Sequence, residues 1–326
     1  MPSIFKSKRR LTAQPVPLAK SEIRTTDVPR LYPIDRLNCR LSGTLTITVA
    51  GTYTYYGLWN LIDRIEVILD GREVVFSAPG RALQMLTLMD IGYKGLDVGP
   101  SLAAPATLPF ELSFVIAANP WTQDFSLLDA TERAGHRSLE VRVTWANDAA
   151  CFATGTIAVN VAATSLAIDA IEIGDGELGK PGGALAPYPR RLIDVRTQPI
   201  TAAQADLDVP LLRNQSYGRI ALMAETTNRV ASNAVLNAVD FRIGTTILQR
   251  ATAAMLRAEM MSRYGISSTD ANFIGFYPLE IIDESRLDQL QAVVNGPDLT
   301  LTLDVSHPGT DQILIILDRY VFPRPR

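Results

Sequence analysis

The chain of 326 residues is longer than the roughly 250–300 at which a single hydrophobic core stops growing, so two domains of about 150 residues are expected. An apolar fraction of 47% with 20% charged residues excludes wholesale disorder, and a net charge of −3 excludes a surface dominated by attraction to a polyanion. No apolar run reaches the ~18 residues of a membrane span and no hydrophobic signal core opens the sequence, which points to a soluble, non-secreted protein.

Residues Met1 to Lys20 read as a basic, flexible N-terminal arm, with Lys6, Lys8, Arg9 and Arg10 clustered ahead of Pro15 and Pro17 and no hydrophobic period. Such a cluster is either a solvated tail or a contact with anionic lipid, to which each basic residue contributes about 1 kcal/mol. Arg24 to Cys39 reads as loop-rich. Alternation then sets in: Leu45, Ile47 and Val49 face one way and Thr44, Thr46 and Thr48 the other, as in a strand with one covered face. Between Gly57 and Lys94 the order is strand, turn, strand, helix. Ile65, Val67 and Leu69 alternate with Arg64, Glu66 and Asp70, and Asp70-Gly71 closes a hairpin, because its two-residue turn needs positive φ. From Arg81 the spacing lengthens to three and four, and Leu83, Met85, Leu86, Leu88 and Met89 form the apolar face of an amphipathic helix. Past the Gly95–Pro109 loop, Phe110, Leu112 and Phe114 mark a strand, and the Ala118–Arg137 loop follows. Leu139, Val141, Val143 and Trp145 give the cleanest strand, and GTIAVNVAATSLAIDAIEI closes the first half.

The same text then returns. Val239, Phe241 and Ile243 stand where Ile65, Val67 and Leu69 stood, at an offset of about 174. A helix follows again, with Met255, Leu256, Met260 and Tyr264 on one side and Arg257, Glu259 and Arg263 on the other. Ile220 and Leu222 repeat the strand before the hairpin. Leu299, Leu301, Leu303 and Val305 repeat the Leu139 strand at an offset of about 160, so the second copy has lost about 14 residues, roughly the Gly95–Pro109 loop. An offset this long marks a duplicated domain and not a solenoid. Seven or eight strands and one helix per half give an all-β chain of two tandem eight-stranded antiparallel jelly rolls. The divisions expected are an arm over 1–20, a first jelly roll over 21–173, a Gly/Pro-rich linker over 174–190 and a second jelly roll over 191–326.

Motifs that tempt toward chemistry fail on context. Gly174 to Gly183, GDGELGKPGG, satisfies both GxGxxG and GxxxxGK, but Pro181 stands where a Mg²⁺-holding Ser/Thr belongs and no helix start follows. A Gly/Pro hinge between domains is the better reading. Two β-barrels could also be a metal-dependent bicupin, which needs converging histidines; the chain has only His136 and His307, each in turn text. No GxSxG occurs, and Asp283 and Glu284 sit in a turn. Cys39 and Cys151 read as buried thiols of a protein finished in a reducing cytosol. Tyr53, Tyr55 and Tyr56 are the best candidates for a sugar groove, although tyrosines in β text more often face a sheet surface or an interface. No catalytic residue, metal site or cofactor is therefore expected, nor any specific nucleic-acid partner, and the protein is not expected to be an enzyme.

The duplicated unit, GLWNLIDRIEVILDG…GRALQMLTLMDIGY and LNAVDFRIG…ATAAMLRAEMMSRYG, resembles the double jelly-roll major capsid proteins of tailless, membrane-containing icosahedral viruses of the bacteriophage type, over roughly residues 35 to 322. The resemblance implies a structural virion protein that forms homotrimeric, pseudo-hexameric capsomers and tiles a shell over an internal membrane. It further implies partners in neighbouring capsomers, vertex or penton proteins and minor capsid proteins, assembly in the host cytoplasm, and a place in the virion shell. By the same resemblance Lys6, Lys8, Arg9 and Arg10 would face lipid. A two-domain carbohydrate- or receptor-binding spike is the alternative.

Overall fold

The computed structural model describes residues 7–92, 102–118, 127–174, 190–212, 215–226, 228–267, 270, 273–281, 291–292, 298–306, 309 and 311–321. The chain divides into two compact units, the first reaching Leu192 and the second running Ile193–Val321.

The first unit contains β1 (Ser7–Thr12), β2 (Val16–Pro17), β3 (Ile23–Asp27), β4 (Ile34–Tyr53), β5 (Ile62–Leu69), β6 (Glu73–Ala78), α1 (Gly80–Ile91), β7 (Ala106–Ala117), β8 (Leu139–Trp145), β9 (Phe152–Val159) and β10 (Ser165–Gly174). Its strands fall into two layers. One has the order β1-β10-β4-β7, with β2 on β10 and β9 on β4, and the other runs β3-β8-β5-β6. From β2 to β9 successive strands pass between the layers except at the β5–β6 hairpin, which is the Greek-key path of a jelly roll. The apolar faces meet between the layers. Leu37, Cys39, Leu41, Leu45 and Ile47 of β4, Leu112 and Phe114 of β7 and Leu166 and Ile168 of β10 are buried, as are Ile65, Val67 and Leu69 of β5 and Leu139, Val141, Val143 and Trp145 of β8.

The second unit repeats this path. It contains β11 (Arg190–Ile200, shared at its start with the first unit), β12 (Gln204–Pro210), β13 (Ser216–Thr226), β14 (Leu236–Ile243), β15 (Thr246–Thr252), α2 (Ala253–Tyr264), β16 (Phe276–Glu280), β17 (Gln291–Ala292), β18 (Leu299–Val305) and β19 (Asp311–Val321). One layer has the order β11-β19-β13-β16 and the other β12-β18-β14-β15. Strand for strand this is the order of the first unit, so the fold is two tandem eight-stranded jelly rolls, each with a helix after its hairpin. Ile220 and Leu222 of β13, Ile313, Ile315 and Leu317 of β19, Val239 and Phe241 of β14, and Leu299, Leu301 and Leu303 of β18 form its core.

The hairpin turn follows from its residues. Asp70 and Gly71 take φ of 53° and 67°, and the Arg72 N–H donates to the Leu69 carbonyl at 3.1 Å. Two positive φ values match the right-handed twist of the flanking strands.

Four expectations are corrected. Ser7–Thr12, expected within a flexible arm, is the first strand of the first jelly roll, paired antiparallel with β10 from Ser7↔Gly174 to Thr12↔Asp169. The first domain therefore begins before residue 21. The stretch from Arg24, expected to be loop-rich, holds most of β3 and the start of β4. Val49 is exposed although Leu45 and Ile47 are buried, because the β4–β9 register slips on either side of it and breaks the two-residue period. In α2, Met255 lies on the exposed side, and Leu256 and Met260 are the buried residues. The Gly174–Gly183 motif lies, after its first residue, outside the described residues, as do the linker positions 175–189 and His307, Asp283 and Glu284.

Candidate functional site

Of the four basic residues expected to face lipid, Lys6 lies outside the described residues. Lys8, Arg9 and Arg10 are carried by β1, where side chains alternate between faces. Arg9 is exposed. The Arg10 guanidinium is hydrogen-bonded to Asp169 of β10, which also accepts a 2.7 Å bond from Thr12 Oγ1. Burial works against the Asp169 charge, but the bonds from Arg10 and Thr12 outweigh it and hold the carboxyl below its ordinary value. Arg10 is thus tied into the sheet.

A cleft of about 440 Å³ opens beside this pair, lined among others by Asn38, Cys39, Arg40, Thr87, Ile91 and Phe114. Burial pushes the Cys39 thiol far up, so it is an inert packing group. Both cysteines are buried thiols outside any disulfide. The tyrosines weighed as a sugar groove are spent on local packing. Tyr53 lies 5.6 Å from Phe152, and Tyr55 and buried Tyr56 meet edge to face at 4.8 Å.

His136 is the acceptor or donor partner of Asp70, with Nδ1 2.9 Å from Oδ2. Asp70 also accepts the backbone N–H groups of Arg137 and Ser138. These bonds, the Arg137 N–H first and His136 next, draw its carboxyl well below the usual range. The arrangement locks the hairpin turn to the loop before β8, a structural use of the histidine. Among the described residues no three His, Cys, Asp or Glu side chains gather to hold a metal ion.

Each unit also carries a buried ion pair that gave no signal in the sequence. In the first, Arg191 makes a two-pronged contact with Asp90, at 2.8 and 2.9 Å, and donates to the Ala117 carbonyl. In the second, Arg219 of β13 and its cross-strand neighbour Asp318 of β19 meet at 3.0 Å. Close by, Glu280 receives a hydrogen bond from the Tyr264 hydroxyl and stands 3.4 Å from Arg263. Burial raises the Glu280 pKa, with Arg219, Tyr264 and Arg263 opposing and Asp318 adding to it. These buried polar groups are thus structural links among the strands and helices.

The fold defines the chain as a double jelly-roll protein, and comparison with solved structures agrees over nearly its whole length. A chain in the atomic structure of Sulfolobus Turreted Icosahedral Virus shares 13% identity, covering 97% of this chain and 91% of that one with a TM-score of 0.77. The major capsid protein P2 of bacteriophage PM2 shares 14%, covering 98% and 99% with a TM-score of 0.59. A chain of the PBCV-1 virus capsid shares 11%, covering 97% and 93% with a TM-score of 0.64. No protein-family model and no curated protein matches the sequence.

Proposed function

We propose that the protein is a major capsid protein, a structural virion subunit that acts by self-assembly into trimeric capsomers. The observation that carries this reading is the duplication itself: one jelly-roll path, strand for strand, written twice in a chain nearly all of which aligns with viral capsid proteins. Two barrels per chain let a trimer present six similar barrels, which is the outline that tiles a hexagonal lattice. Stable interfaces of this obligate kind bury about 2,000–5,000 Å². Neighbouring capsomers, vertex proteins and minor capsid proteins are the partners such a subunit needs. The basic residues Lys6, Lys8 and Arg9 are the group offered to an internal membrane, while Arg10 holds β1 in place through Asp169. The virion shell is the location this implies, after folding in the host cytoplasm.

Light scattering of purified protein across concentration tests the reading. A stable species near three times 35.6 kDa is expected. A monomer that does not change with concentration would overturn it.

A further inference from the structure

We propose that the cleft on the outer face of the β1-β10-β4-β7 layer binds a single-chain amphiphile with an anionic head, a fatty carboxylate or an alkyl phosphate. The site lies within one copy of the first jelly roll, so it stands apart from the way copies assemble.

The floor of the cleft follows from strand register. Asp169 of β10, Asn38 of β4 and Val115 of β7 stand opposite one another, and two residues along each strand so do Ala167, Arg40 and Ser113. Side chains two apart share a face. The residues between them, Ile168, Cys39 and Phe114, are buried in the core. Asn38, Arg40, Ser113, Val115 and Asp169 therefore stand on the side of the sheet away from the core, and all five line the cleft. Two further elements contribute from opposite edges of the sheet. Thr87 of α1 accepts the Val115 N–H at 3.2 Å, which lays the helix along β7, and Ile91 is the one apolar side chain of α1 left exposed, at 46%. From the other edge Arg10 of β1 reaches Asp169.

Charge selects the head of the ligand. Arg10 and Arg40 face a single carboxylate in the lining, that of Asp169, which leaves one positive charge in excess. Arg10 is engaged with that carboxylate. Among the described residues Arg40 has Glu111 as its one ion-pair partner, at a loose 3.9 Å, and Glu111 does not line the cleft. A guanidinium fork so placed fits a carboxylate or phosphate head. The side chains of Asn38 and Ser113 make no hydrogen bond among the described residues, so an amide and a hydroxyl near Arg40 are left to bond the same head.

The apolar part of the lining selects the tail. Ile91 and Val115 give the cleft an apolar side next to its charged one, and its volume of about 440 Å³ falls in the range of about 300–1,000 Å³ typical of small-molecule sites. A small inorganic anion would leave that side in water. An alkyl chain covers it, and each buried CH₂ favours binding.

Isothermal titration calorimetry of the full chain with octanoate and with octyl phosphate, both kept below micelle-forming concentrations, tests the site. Inorganic phosphate supplies the head alone and octanol the tail alone. One molecule should bind per chain, and octyl phosphate should bind at least about tenfold more tightly than inorganic phosphate or octanol. Arg40→Gln should weaken both octyl anions about tenfold. Ile91→Ser should weaken them while leaving inorganic phosphate unchanged. Arg24→Gln removes the same charge from β3 in the other layer and should bind as wild type. Arg40, Ile91 and Arg24 are exposed, so circular dichroism should show three intact folds. Wild type that takes up neither octyl anion saturably overturns the proposal, as does binding undiminished in Arg40→Gln. Inorganic phosphate bound as tightly as octyl phosphate would leave an anion site only, and octanol bound as tightly an apolar site only; either result overturns it. Equal weakening in Arg24→Gln would assign the binding to overall charge and overturn it too.

Discussion

Glu280 shows how a single residue couples fold to pH. Its carboxyl sits between Tyr264 and Arg263, near the buried Arg219–Asp318 pair, and burial raises its pKa above the value in the unfolded chain. The folded state therefore holds a proton that the unfolded state releases first. Its contribution to stability is complete below the unfolded pKa and is lost as pH rises through the folded one. Glu280→Gln keeps the hydrogen-bonding shape without the charge. Its Tm should match wild type at acid pH and equal or exceed it at neutral pH; thermal unfolding across that range would show a flatter profile for the variant. A neutral-pH Tm that falls by many degrees would mean that the ion pair with Arg263 outweighs the cost of burial. None of this was legible in the sequence. Glu280 follows Pro278 and Leu279 without a motif, and its partners arrive from β13, β19 and the end of α2, far apart along the chain.

At the scale of elements, legibility followed the pattern of burial. The β5–β6–α1 and β14–β15–α2 segments were readable because Ile65, Val67 and Leu69, and again Val239, Phe241 and Ile243, recur at two-residue spacing and the Asp70-Gly71 turn has its own chemistry, although α1 proves buried on every side from Gly80 to Met89 and not on one face. β3 was not, since four of its five residues are exposed and leave no alternation. β1 was missed for a related reason. Ser7–Thr12 is an outer strand carrying charge, as sheet edges commonly do, so its composition imitates a solvated tail. The α1 turn next to β5 makes a sharper demand. A Cβ on Gly80 would lie 2.0 Å from the Trp59 carbonyl oxygen and 2.7 Å from that of Ile62, so the helix can start there only on a residue without one. Gly80→Ala must push α1 off the backbone it rests on, at a cost of about 1–3 kcal/mol or more. Urea unfolding measures it, and an unchanged midpoint would show that the contact relaxes freely.

For the whole molecule, the duplication was plain in the sequence because the hairpin and helix recur at a constant spacing, whereas the role of the N-terminal basic residues depends on where the first strand ends up. Deleting residues 1–10 is a poor test of lipid contact, since it removes most of β1 and exposes β10 as a new edge. Reversing charge at Lys6, Lys8 and Arg9 while keeping Arg10 on Asp169 separates the two roles. Three basic residues at about 1 kcal/mol each amount to about 3 kcal/mol, roughly a hundredfold in partitioning onto anionic vesicles. Co-sedimentation should show that loss at low salt, little binding of either protein to neutral vesicles, and a solution mass unchanged by the substitutions. Equal binding of wild type and the triple variant to anionic vesicles would remove lipid from the account of β1 and leave its charges as protection of a sheet edge.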